Sequence, residues 1–65
     1  MKTIKTFEND ERLVRIIYFE DCKRYAVTLA TCDCKTKSTM YKLKFYAERK
    51  FSEYKNHPLE ALGVK

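Results

Sequence analysis

The chain holds one glycine and one proline, Gly63 and Pro58, and both fall in its last eight residues. Those two residue types are the strongest local breakers of regular structure. The preceding stretch is therefore expected to be continuous secondary structure joined by short polar turns, without linker, repeat or low-complexity segment. The same scarcity excludes a glycine-rich phosphate-binding loop. With 65 residues there is room for one domain only. A core of that size leaves only a few kcal/mol of net stability and no deep cleft between lobes. Hydrophobic residues make up 45% and charged residues 35%, a folded rather than a disordered balance.

Residues 2–7 are strand formers with weak alternation, read as a short edge strand with lysines discouraging further pairing. Glu8-Asn9-Asp10-Glu11 is a turn. Residues 12–19 are β-branched and aromatic on both faces, which suits a central strand covered on two sides. A helix capped by Asn9 is the rival reading, and the β-branched content favours the strand. Glu20-Asp21-Cys22-Lys23 is the next turn. Residues 24–32 alternate, with Tyr25, Val27 and Leu29 on one face and Arg24, Ala26, Thr28 and Ala30 on the other. Residues 33–38 read as a polar, basic loop. Residues 39–46 alternate again, Tyr41, Leu43 and Phe45 against Met40, Lys42, Lys44 and Tyr46, and predict a fourth strand.

From Ala47 the period changes. Ala47, Phe51 and Tyr54 fall on one helical stripe. Asn56-His57-Pro58 ends that helix. Pro58 then opens a single turn through Leu59–Leu62, which Gly63 closes, with Leu59, Leu62 and Val64 packing back on the body. The expected fold class is α+β: a small antiparallel β-meander of three to four strands, one C-terminal helix on the sheet, and a short terminal helical turn.

The charge is uneven. Residues 1–34 balance six basic against six acidic side chains, whereas residues 35–55 hold seven basic against Glu48 and Glu53, so the whole excess of +5 lies there. Such a segment fits an anionic partner or a solvated lysine face. No apolar run approaches the roughly 20 residues that span a bilayer. The N-terminal residues carry lysines without an apolar stretch behind them, unlike a signal peptide. A cytoplasmic protein without a membrane partner is expected.

Three cysteines make an odd number, which argues against a disulfide framework. Cys22, Cys32, Cys34 and His57 have zinc-ligating chemistry. A strand between Cys22 and Cys32 would separate them by roughly 30 Å, so no metal site and no cofactor is expected. His57, the single histidine, reads as a helix-end cap rather than a general base. The acidic trio Glu8, Asp10 and Glu11 reads as a solvated turn. No enzyme is expected.

The remaining candidate is a basic and aromatic surface. On a strand over 39–46, Lys42, Lys44 and Tyr46 share one face, fed by a loop bearing Lys35 and Lys37, with Lys50 and Arg49 beyond. Lysines at that spacing neutralise phosphates and Tyr46 stacks on an unpaired base. The first functional expectation is nucleic-acid binding, DNA or RNA, through Lys35, Lys37, Lys42, Lys44, Tyr46 and Lys50. The second is a protein-interaction module or small inhibitor of the kind that phages and mobile elements carry, docking on an acidic protein surface. A homodimer is a further expectation, because so small a core gains from extra burial.

Overall fold

The computed structural model describes residues 1–64. Four strands, β1 (Lys2–Glu8), β2 (Arg12–Phe19), β3 (Arg24–Thr31) and β4 (Thr36–Tyr41), precede one helix, α1 (Lys44–Asn56). The strands form one antiparallel sheet in the order β1-β2-β3-β4, each paired with its sequence neighbour. The α+β meander with a helix on one face is the fold expected from the residue pattern. No helix among the described residues is long and apolar enough to cross a membrane.

Residues 12–19 are strand, and β2 is central as the β-branched run requires. Val14 pairs with Leu29 and Ile16 with Val27, and all four are fully buried beneath α1. Ala47, Phe51 and Tyr54 form the buried stripe of the helix. Leu62 and Val64 complete the core from the terminal turn. Lys5 lies over the Phe51 ring and Lys55 over the Phe7 ring, so the lysine stems cover the edge of that core.

One expectation for β2 is corrected. Only one of its faces is covered by an element; the other, with Leu13, Ile17 and Phe19, is half-buried among neighbouring side chains of the sheet itself.

The fourth strand is also corrected: it runs over Thr36–Tyr41, not 39–46. The β3–β4 turn fixes its start. The Cys34 N–H donates to the Thr31 carbonyl and the Thr31 N–H to the Lys35 carbonyl, which closes a three-residue loop over Cys32-Asp33-Cys34. Thr36, Lys37 and Ser38 therefore belong to the sheet, opposite Ala30, Leu29 and Thr28. Its end is fixed by the partner. Tyr41 pairs with Tyr25, next to the first residue of β3, and beyond it the partner strand runs out. The chain turns at Lys42 and Leu43 and enters the helix at Lys44, three residues before the expected start.

Cys34 sits in the left-handed region at φ 65°, and Lys23 in the preceding turn at φ 54°. That conformation costs a side-chain-bearing residue about 1–2 kcal/mol, partly offset because glycine loosens the unfolded chain. Cys34→Gly is accordingly expected to stabilise the fold by about 0.5–1 kcal/mol, seen as a higher denaturant midpoint at unchanged slope.

The terminal turn closes as anticipated at Gly63, whose φ is 77°. The Val64 N–H reaches the Leu59 carbonyl and the Gly63 N–H the Glu60 carbonyl. These are the two bonds of a glycine-terminated helical turn. Lys37 fastens this turn to the sheet, its Nζ donating to the Leu62 carbonyl at 2.7 Å.

Candidate functional site

The early helix start rearranges the basic segment. Lys42, Lys44 and Tyr46 do not share a strand face: Lys42 lies in the turn after β4, while Lys44 and Tyr46 are in the first turn of α1. All three side chains remain exposed, and the chain around them exposes Leu43 (58%), Phe45 (62%) and Tyr46 (47%) as well. The Phe45 and Tyr46 rings meet edge to face at 5.4 Å between centroids. The Arg49 guanidinium stands 5.7 Å over Phe45. A knuckle of aromatic rings and cations thus projects from the start of the helix.

That helix start is electrostatically open. Leu43 occupies the cap position without a side-chain hydrogen bond, and the first turn contains no acidic residue. Free N–H groups and the positive end of the helix dipole favour an anion there. Lys42 and Lys44 add cations where the dipole disfavours them, an arrangement that costs stability and that a bound anion relieves.

From Tyr46 an open groove of about 450 Å³ runs along the flank of α1, lined by Tyr41, Tyr46, Arg49, Lys50, Ser52, Glu53, Asn56 and His57. Tyr41 forms its sheet side. Tyr41, on the strand face opposite Met40 and Lys42 in the sequence pattern, is half-buried against the core, yet one side of it faces this groove. No residue pattern signals that double role; it arises because β4 ends at Tyr41 and the helix then crosses back past it. At the far end, His57 caps the helix as expected, with Nδ1 2.9 Å from the Glu53 carbonyl and its own N–H on the same oxygen.

The cations divide into committed and free. Lys37 is held by Leu62, away from the knuckle. Lys35 lies at the other end of β4, beside the β3–β4 loop. Lys50 donates to Glu53 at 2.6 Å within the groove. That hydrogen bond holds the Glu53 carboxyl below the usual carboxylate range, and it holds the Lys50 amine above its ordinary value. The folded pair therefore contributes at neutral pH and is lost on acidification as the Glu53 carboxyl titrates. The structure thus brings Tyr46 and Lys50 together with Arg49 and Tyr41 along the groove, leaves Lys42 and Lys44 exposed at the helix start without a shared contact, and leaves Lys35 and Lys37 apart.

Glu53 also sets the sign of one expectation. It is the single carboxylate of the groove. Glu53→Gln removes a negative charge and releases Lys50, so affinity for a polyanion is expected to rise and the salt dependence to steepen by about one phosphate equivalent. A salt titration of binding measures both.

The cysteines are dispersed. Cys22 sits in the β2–β3 turn, while Cys32 and Cys34 sit at the opposite end of β3. Among the described residues no three His, Cys, Asp or Glu side chains gather as metal ligands. In the acidic turn, Asn9 Oδ1 accepts from the Glu11 and Arg12 N–H groups, and Glu11 pairs with Arg12.

No protein-family model, no curated protein and no solved structure matches this chain.

Proposed function

We propose that the chain is a non-enzymatic module that binds single-stranded nucleic acid at the β4–α1 junction. Lys42, Lys44 and Arg49 neutralise phosphates, together with the open helix start. Phe45 and Tyr46 offer ring faces to unpaired bases. The groove between Tyr41 and Tyr46 receives one base, with Lys50 at its floor. The observation that carries this reading is the exposed Phe45–Tyr46 ring pair with the Arg49 guanidinium over Phe45, beside the groove that Tyr46, Arg49 and Lys50 line. Aromatic faces flanked by cations are the two parts that sequence-tolerant single-strand binders need.

The test is fluorescence anisotropy with a labelled single strand of about 12 nucleotides, within the usual range of site sizes. Binding that weakens steeply between about 50 and 200 mM salt is the expected result. Equal affinity for a duplex of the same sequence contradicts the stacking role, because duplex bases offer no free faces.

A second reading rests on a separate observation. Leu43 at the helix start and Met40 (55% exposed), on the helix-free face of β4, are apolar and present to solvent. Aliphatic exposure of that kind favours a protein partner, and the cations then steer the module to an acidic face. A protein retained in fixed ratio from nuclease-treated lysate, and lost on Leu43→Ser, supports this second reading.

A further inference from the structure

A four-stranded sheet has two free edges, and here they are unequal. β1 is guarded. A bulge interrupts its register between Thr3 and Lys5, and Lys2, Lys5 and Glu8 place charges along it. Bulges and edge charges both discourage further pairing. β4 has neither device. Its register with β3 is unbroken from Thr36 to Tyr41. Its one charged residue, Lys37, pairs across from the buried Leu29 on the helix side and is spent on the Leu62 carbonyl. The helix packs chiefly on β2 and β3 and touches β4 less, and Thr36, Lys37, Ser38 and Met40 all remain exposed.

The turn fixes which groups the edge presents. Thr31 and Lys35 are the hydrogen-bonded closing pair. In an antiparallel ladder bonded and non-bonded pairs alternate. Lys37, Thr39 and Tyr41 therefore bond to β3, and Thr36, Ser38 and Met40 turn their N–H and C=O groups outward.

We propose that this edge pairs with β4 of a second copy of the chain, antiparallel and centred on Ser38, to give a continuous eight-stranded sheet. The strand is its own complement in that register. Ser38 meets Ser38 at the two-fold axis, Thr36 meets Met40, and Lys37 meets Thr39. Three outward-facing residues per copy exchange six main-chain hydrogen bonds. No like charges stand directly opposite, and the exposed Met40 side chain gains the Thr36 methyl as a neighbour. A strand-edge interface of this length is small, so the dimer is weak and concentration-dependent. The same register sets Lys35 of the partner subunit opposite Tyr41, which adds a cation at the sheet wall of the groove and gives that residue a place in the site. The pairing itself is independent of what the groove binds, and it is measured without any ligand.

The experiment is sedimentation velocity on the full chain over a concentration series. The unaltered protein is expected to shift from monomer to dimer in the micromolar range. Ser38→Pro removes an N–H that faces outward and bonds nothing within the monomer, and proline is tolerated at that kind of edge position. Loss of the two bonds at the axis is expected to weaken the dimer about 30-fold, with an unchanged circular dichroism spectrum. Should that variant not fold, a charge pair decides. Ser38→Lys and Ser38→Glu each set like charges against each other at the axis and weaken the dimer about fivefold, and an equimolar mixture of the two restores it. A chain that stays monomeric to millimolar concentration overturns the proposal. So does a dimer indifferent to the charges at residue 38, which would place the contact elsewhere, such as on the uncovered sheet face.

Discussion

Arg12→Met is expected to destabilise the fold by about 3 kcal/mol, more than any other single change away from the apolar core. Arg12 is 6% exposed. Its Nη1 donates to the carbonyls of Tyr54 and His57, both at 2.6 Å, and its Nη2 to Glu11 at 2.6 Å. The reason lies four residues after Tyr54. A helical carbonyl at Tyr54 would take the N–H of residue 58, and residue 58 is Pro58, which has none. Arg12 supplies the missing donor from β2, and its charge sits at the negative end of the helix dipole. Methionine keeps the apolar volume and removes every donor, which leaves two carbonyls without partners. Each orphaned group costs about 1–3 kcal/mol, and the lost charge–dipole attraction adds to it. For a domain this small the midpoint of thermal unfolding falls by about 15 °C. Arg12→Lys retains the charge and part of the bonding, so it recovers roughly half of that loss. A fall of less than about 1 kcal/mol for Arg12→Met would mean that desolvating the guanidinium had cancelled its hydrogen bonds.

Arg12 also illustrates what the residue pattern does not disclose. It stands at the head of a β-branched run and reads as an ordinary flanking charge. Only the fold brings it to residues 54–57, more than forty positions away. The elements defined by local chemistry were legible. β2 is bounded by the polar turns on either side of it, and the α1 stripe follows from the spacing of Ala47, Phe51 and Tyr54. The boundary between β4 and α1 was not legible, because Tyr41, Leu43 and Phe45 alternate as well as any strand. What decides that boundary is the length of β3 and the register set by a three-residue turn, both non-local to residues 39–46. The site followed suit. The residue types of the basic segment were visible, but their grouping depends on where the strand stops. Hence Lys35 and Lys37 leave the cluster, Lys37 for Leu62, while Tyr41 enters it.

That grouping yields two variants whose effects separate charge from stacking. The triple change Lys42→Ala, Lys44→Ala and Arg49→Ala removes three exposed cations, of which Arg49 stands over the exposed Phe45 ring. Each phosphate contact on a single strand contributes about 0.7 to the slope of log affinity against log salt, so the slope is expected to flatten by about 2. The loss should be uniform across sequences. The double change Phe45→Ala and Tyr46→Ala leaves the charges in place, and the salt slope should hold. Affinity instead falls by roughly 100-fold or more, at about 1–3 kcal/mol for each stacked base. Neither residue is part of the buried stripe, so the fold should survive both variants, and removing cations from the start of α1 should stabilise the triple variant slightly. If the aromatic variant binds normally while the triple variant does not, the surface attracts phosphate without reading bases. If neither variant alters binding to a single strand, the knuckle is not the nucleic-acid site, and the exposed Leu43 beside it becomes the better guide to the partner.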